Sequence, residues 1–277
     1  MEPMRVQELL TATGGTLLGG PENQDLEAVI TAVELDSRAA HEGALFVALR
    51  GEQTDGHRYI SSAMANGAAG CLVEDDPGEY IPGKFYIQVP STLEAVGHVA
   101  KAYKEKFDIP VIGVTGSVGK TTTKDMIAAV LGRKFRVLKT EGNFNNELGL
   151  PLTLFRLTPK DEICVLEMGM SALGEIDYLT RIVVPHVAVI TNIGDAHIEN
   201  LGSRENILKA KSEIFNYMSS DGLAVLSGDE PMLRGLDGAV TPKTVLCGAL
   251  GQPPYQASNI SQLGAKGMAC TVKTPKT

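Results

Sequence analysis

The sequence predicts an α/β protein in two parts: a small N-terminal α/β domain over residues 1–107, then a mostly parallel sheet with helices on both faces over 108–277. Three observations lead there. In the second part, apolar runs of about five residues alternate with amphipathic stretches, as in a parallel sheet buried on both faces. The first part mixes shorter strand-like and helical pieces. Between them, "FDIP" breaks the chain, because the residue before a proline is driven out of the helical region.

In the first part, "GALFVAL", "GCLVED" and "KFYIQV" predict strands, while "HRYISSAMANG" and "TLEAVGHVAKAYKEKF" predict helices. The second part opens with the apolar run "VIGVT", a flexible turn "GSVG", and a helix from Lys120 to Leu131. Met126, Ile127, Val130 and Leu131 are expected on its buried face, with Gly132 ending it. "EICVLEMG", "HVAVITNIG", "LAVLSGD" and "KTVLCG" continue the sheet, with "IDYLTRIV" and "SRENILKAKSEIFNYM" as helices between. The final stretch, "YQASNISQLGAKGMACTVKTPKT", alternates like strands and lacks a closing helix or turn, so the second domain is expected to be incomplete.

An apolar content of 43% in 277 residues supports two separate cores. The net charge is −8, and the 25 Lys and Arg are scattered, which argues against nucleic acid or an anionic membrane surface as partner. No apolar run reaches the roughly 18 residues of a membrane span, and the N-terminus lacks a basic flank before an apolar core. A cytoplasmic protein, and a monomer, is expected. The four cysteines show no metal-binding spacing; Cys71, Cys164 and Cys247 lie in or beside apolar stretches and read as reduced core thiols.

The chemistry begins at "GVTGSVGKTTTKD". A full Walker pattern would need glycine at position 114, where the chain has Val114, so the loop is of a shorter form, TGxxGKT. Thr115 at the strand end and Gly116, Ser117, Val118 and Gly119 of the turn are then expected to grip the phosphates. Gly116 and Gly119 can take positive φ and let backbone N–H groups face a phosphate at a helix N-terminus. Lys120 would reach terminal phosphates and Thr121 would hold Mg²⁺. The alternative is an ordinary glycine-rich turn, but a Lys-Thr pair opening the helix favours the phosphate loop.

Three further residues complete the constellation. Glu167 ends a strand at the sheet's carboxyl edge, where a carboxylate can hold Mg²⁺; read alone, such a residue is more often a solvated surface acid. His197 follows the next strand, as a ligand or as an exposed loop histidine. Lys211 shares a helical stripe with Ile207, Ile214 and Met218, in a helix expected to be capped by Ser203, whereas Lys209 falls off the stripe. A buried amine loses its proton more easily or finds an anion. When neutral it can take up CO₂ as a carbamate, a carboxylate able to bind metal; the alternative is an ammonium that snorkels to the surface.

With these residues in place, the chain resembles the Mur ligase family of peptidoglycan synthesis along essentially its whole length. "TGSVGKTTTKD" is similar to the family's ATP loop, and "LEMGM", "TNIGDAH" and "KAKSEIF" to its metal-site segments. "EMG" and "GNFNNELGLPLTL" resemble the members that add a dipeptide. The resemblance implies that Lys120 and Thr121 contact ATP phosphates and Mg²⁺, that Glu167 and His197 hold Mg²⁺, with two ions expected, and that Lys211 carries the family's carbamate. Lys120, Lys211 and His197 would be the catalytic set, and Asn192 a weaker nucleotide contact. Asn143, Asn145 and Asn146 match the segment facing substrate and nucleotide. "LDSRAAHEGALFVALRGEQTDGH" resembles the uridine-nucleotide domain, implying Ser37 and Arg38, then Asp55, Gly56 and His57, as contacts to the UDP-sugar.

The implied reaction is ATP-dependent amide formation between UDP-N-acetylmuramoyl-tripeptide and D-alanyl-D-alanine through an acyl phosphate. The family's third, Rossmann-like domain has no counterpart in the sequence, so a fragment is expected. Two other readings stay open: a related ligase acting on folate or poly-amino-acid substrates, and a non-catalytic binder of nucleotide or UDP-sugar.

Overall fold

The structure, a computed structural model, describes residues 1–51, 54–264 and 267–275. Two compact units emerge: Met1–Asp108 with Glu147–Lys160, and Ile109–Asn146 with Asp161–Thr277. The spacing of apolar runs puts residues 147–160 in the second part, but they cluster with the first.

The first unit runs β1 (Met4–Arg5), α1 (Val6–Thr13), β2 (Thr16–Leu18), β3 (Val29–Ile30), β4 (Ala32–Glu34), β5 (Ala44–Val47), α2 (Ile60–Ala65), β6 (Gly70–Val73), β7 (Phe85–Gln88) and α3 (Thr92–Lys104). Its five-stranded sheet has the order β2-β7-β6-β5-β4, parallel except for the β2–β7 pair. All four residues of β5 and of β6 are buried, as a sheet covered on both faces requires. One core gathers Phe46, Cys71, Val73 and Tyr86 against Ile60, Ala63 and Met64 of α2. Ser91 caps α3 by accepting the Glu94 N–H, and Val96, Val99, Ala100 and Tyr103 are buried along that helix. The Tyr103 hydroxyl donates to the Leu157 carbonyl at 2.6 Å, fixing the 147–160 segment, whose helix is α5 (Gly149–Leu154), to α3.

The second unit contains β8 (Val111–Thr115), α4 (Lys120–Leu131), β9 (Val137–Lys139), β10 (Ile163–Glu167), α6 (Glu175–Val183), β11 (Val187–Ile190), α7 (Ile198–Leu201), α8 (Arg204–Ser212), β12 (Leu223–Ser227), α9 (Pro231–Arg234), β13 (Lys243–Gly248), β14 (Tyr255–Gln262) and β15 (Met268–Lys273). The strand order is β15-β14-β13-β12-β11-β8-β10-β9, parallel except for the terminal β14–β15 pair. From β8 the chain leaves toward the β9 edge, and from β11 toward the β12 side. The crevice between those carboxyl ends is therefore a topological switch point, the place where such sheets bind ligands.

The helix α4 departs from its sequence pattern. Met126 and Val130 are 66% and 72% exposed, while Lys124 and Ala128 are buried. Ile127 and Leu131 do pack on the core of Val114, Ile163 and Val165. The inward stripe is thus 120, 124, 127, 128 and 131, because the helix turns its polar first turns toward the loop. The stripe expected around α8 is buried: Ile207 and Lys211 within the helix, and Ile214 and Met218 beyond its end at Ser212, while Lys209 is exposed and Ser203 accepts the Asn206 N–H. Among the described residues no helix is long and apolar enough to cross a membrane. All four cysteines are free, with Cys71 and Cys164 buried, Cys247 half-buried and Cys270 exposed.

Candidate functional site

The loop after β8 is built by two glycines and held by the segment after β11. Gly116 has φ 147° and Gly119 φ 82°, values that favour glycine. A side chain on Gly116 would also overlap the Thr191 hydroxyl. Asn192 behaves like a short extra strand: its carbonyl accepts the Ser117 N–H (3.1 Å), its Oδ1 accepts the Val118 N–H (3.0 Å), and its Nδ2 donates to the Val118 carbonyl (3.2 Å). The Thr191 hydroxyl donates to the same carbonyl at 2.6 Å, and the Gly194 N–H to Ser117 Oγ at 2.8 Å. Asn192 thus serves the loop rather than offering its amide to a ligand.

With the Ser117 and Val118 N–H groups engaged, the first N–H groups of α4, which a helix cannot pair internally, remain as donors at the loop. No side chain caps that end. Its partial positive charge and the Lys120 ammonium, resting on the Gly116 carbonyl at 3.0 Å, make it a site for an anion. Thr115 is fully buried at the end of β8, and its hydroxyl has no partner among the described residues.

Glu167 stands beside this helix end, only 2% exposed. Its Oε2 accepts the Thr121 hydroxyl at 2.8 Å and its Oε1 accepts Asn145 Nδ2 at 2.9 Å. The Asn145 carbonyl in turn accepts the Gly169 N–H (2.8 Å), and a Cβ on Gly169 would lie 3.0 Å from Asn145 Oδ1. Of the three asparagines in the "GNFNN" turn, Asn145 therefore reaches the acid. Asn143 and Asn146 are exposed, the former accepting the Asn145 N–H on its carbonyl.

Lys211 is 2% exposed, and no hydrogen bond or ion pair reaches its amine among the described residues. Burial, and then the charge of Lys120, pull its pKa down to about 8. His197 is exposed, with φ 64°, at the start of α7. The preceding loop is anchored by Arg204, which donates to the Ile193 carbonyl and pairs with Asp195 at 3.6 Å.

No group of three or more His, Cys, Asp or Glu among the described residues is arranged to hold a metal. The Glu167 carboxylate and the Thr121 hydroxyl nevertheless form a hard oxygen pair beside an anion site. That fits Mg²⁺, which takes one or two protein ligands and completes its shell with phosphate oxygens and water.

The first unit carries a separate cavity of about 710 Å³, lined by Ser37, Arg38, Leu49, Thr54, Gly56 and Tyr59, among others. Ser37 is buried and Arg38 exposed; the Arg38 guanidinium meets Asp36 at 2.6 Å and holds that carboxyl down at about 2. Gly56 belongs to this wall, but Asp55 and His57 are turned to each other. His57 Nδ1 lies 2.7 Å from Asp55 Oδ1, and its Nε2 accepts the Glu74 N–H at 2.9 Å. Both ring nitrogens are used within the fold, which fixes the Nδ1–H tautomer and gives His57 a structural task. Of the three residues expected as weaker UDP-sugar contacts, Gly56 lines this cavity, while the side chains of Asp55 and His57 bond to each other.

Residues that spacing did not single out include Thr191, Arg204, Thr140 and Lys124. The lysine at 124 was a visible signal, since it sits one helical turn from Lys120.

Residues 114–274 match the Mur ligase middle domain, and residues 29–104 match the Mur ligase family catalytic domain. A UDP-N-acetylmuramoyl-tripeptide–D-alanyl-D-alanine ligase from Bacillus subtilis is 44% identical over 268 residues, which is 97% of this chain and 57% of that protein. A crystal structure of MurF from Acinetobacter baumannii superimposes with a TM-score of 0.90 at 33% identity, covering 100% of this chain and 59% of that one. MurF ligase from Thermotoga maritima, solved in complex with ADP, gives 0.80 at 34% identity, covering 88% of this chain and 56% of its own. The chain therefore spans less than two thirds of the length of each relative.

Proposed function

The chain belongs to the Mur ligase family, and from that premise we propose that it supplies the UDP-sugar and ATP sites of a ligase joining D-alanyl-D-alanine to UDP-N-acetylmuramoyl-tripeptide. The observation that carries the nucleotide half is the uncapped N-terminus of α4 beside the Thr121–Glu167 pair. The 710 Å³ cavity around Ser37 and Arg38 supports the sugar-nucleotide half.

Neither a carboxylate nor an amine reacts unaided, so the γ-phosphate of ATP passes to the peptide's terminal carboxylate. The amine of D-alanyl-D-alanine attacks that carbonyl, and phosphate leaves. The site's work is charge neutralisation in place of a protein nucleophile. Lys120 and the α4 N–H groups would bind and orient the phosphates, while Glu167, assisted by Thr121, would hold a Mg²⁺ able to screen them; His197 is a candidate for a second ion. Removing one such contact costs on the order of 3 kcal/mol in the barrier.

Lys211 fits the carbamate role because its amine is buried and easily deprotonated. The neutral amine adds to CO₂ and releases one proton, leaving a carboxylate where a cation faced Lys120. Repulsion becomes attraction, and a second oxygen ligand is created. A ¹³C-bicarbonate NMR experiment that shows a carbamate carbonyl in the native protein and none in Lys211→Met tests this assignment. For the function as a whole, calorimetric titration with Mg²⁺–ADP and with UDP-N-acetylmuramoyl-tripeptide tests the two sites; failure to bind the tripeptide while binding ADP would point to another substrate class.

A further inference from the structure

We propose that Lys124 is a positioning residue of the Glu167 site, acting through Thr140. This rests on the reading of Glu167 and Thr121 as the place where nucleotide and Mg²⁺ meet. Lys124 is 2% exposed, one helical turn beyond Lys120, and its amine reaches Thr140 where that of Lys120 rests on Gly116. Its Nζ donates to the Thr140 carbonyl at 2.8 Å and lies 3.3 Å from Asp125, which Lys139 also holds at 2.6 Å. A buried ammonium is costly unless paired, and leucine or methionine would fill the same volume without that cost.

Thr140 explains the choice. It is fully buried at the end of β9, where its N–H donates to the Val165 carbonyl at 3.1 Å and its Oγ1 accepts the Glu167 N–H at 2.9 Å. A closed circuit results: Lys124 on α4 holds Thr140, Thr140 holds the backbone of Glu167, and the Glu167 carboxylate returns to Thr121 on the same helix. Thr121 and Lys124 are three residues apart, so the helix is tied to the acid at two points one turn from each other. When a cation draws the Thr121 hydroxyl away from Glu167, the Lys124–Thr140 link is the one that keeps helix and acid in register. Thr140 also leads into the turn that delivers Asn145 to Glu167, so the same link sets that amide.

The test compares ADP binding with and without Mg²⁺ by calorimetry, for the native chain and for Lys124→Met, Lys124→Gln, Thr140→Val and Thr140→Ser. Lys124→Met and Thr140→Val are expected to weaken the Mg²⁺-dependent gain in ADP affinity by about tenfold, with metal-free ADP affinity within about twofold of native. Thr140→Ser, which keeps the hydroxyl, retains the gain, and the double variant is no worse than the poorer single one because both break one circuit. In metal-free protein the Glu167 amide should exchange about tenfold faster in both variants, after correction for global stability. A Mg²⁺-dependent gain left intact in folded Lys124→Met and Thr140→Val overturns the proposal; if Lys124→Met fails to fold, Lys124→Gln and Thr140→Val decide it. A native chain with no such gain, or a Glu167→Gln variant that keeps it, refutes the reading of the Glu167 site itself, a different result.

Discussion

The Thr121 hydroxyl and the Glu167 carboxylate meet at 2.8 Å across the carboxyl edge of the central sheet, joining the helix that opens the phosphate loop to the strand beside it. Both oxygens have the hardness that a cation such as Mg²⁺ selects. Glu167→Gln keeps the shape and the bond to Thr121 but removes the charge. It is expected to abolish the Mg²⁺ dependence of nucleotide binding at a cost of about 2 kcal/mol in Mg²⁺–ADP affinity, read by calorimetry. Unchanged affinity would remove Glu167 from the metal site.

Lys211 is expected to trade stability for function. Its pKa falls from 10.5 to about 8 on folding, so between those values the unfolded chain holds more protons, and stability rises as the pH climbs from 8 to 10.5. Below pH 8 the full penalty, about 3 kcal/mol, is present. Lys211→Met should therefore raise the melting temperature at pH 7 by about 5 °C in bicarbonate-free buffer, with the gain fading toward pH 10.5. A drop in melting temperature would show that the amine has a stabilising partner.

Asn192→Ala removes the side chain that grips Val118 on both its N–H and its carbonyl. Loss of two hydrogen bonds predicts about 2 kcal/mol of local destabilisation. ADP affinity should fall by about tenfold even without metal, since the loop must then be ordered by the ligand. Equal affinity in the variant would mean the loop is held well enough by Thr191 and Ser117.

The pH dependence in acid should come in part from Asp177. Burial tends to raise its carboxyl, but hydrogen bonds from Asn216, Arg181 and Tyr217 hold it below the ordinary range. A lowered carboxyl contributes stability that is present above its unfolded pKa of 3.8 and is lost as the pH falls through the folded value. Asp177→Asn should be less stable at pH 7 and should show a flatter stability profile below about pH 4, followed by circular dichroism. An unchanged acid profile would place the titration elsewhere.

Much of this molecule is legible in its sequence, for reasons that differ by element. The strands β8, β10, β11 and β12 are short apolar runs because a sheet covered on both faces leaves no polar side. Lys211 is visible because a lone charge on an apolar stripe is a violation that needs a cause. Helix α4 misleads because the rule that apolar residues face the core fails where a helix opens directly from the glycine loop. There Lys120 and Lys124 lie on the inward stripe, and Met126 and Val130 are carried to the outside. Asp55 and His57 flank Gly56 in sequence, and only the folded side chains show that they bond to each other. Residues 147–160 join the first unit through the Tyr103–Leu157 hydrogen bond, a contact 54 residues long that no local pattern announces.

The clamp of Asn192 on the loop has a thermodynamic corollary. A phosphate loop whose Ser117 and Val118 are already hydrogen-bonded in the free protein gives up little conformational entropy when a nucleotide arrives. Its association should then resemble docking onto a finished surface. Calorimetry would register a modest entropic penalty, and stopped-flow traces a single fast phase, with no slower step for the loop to close.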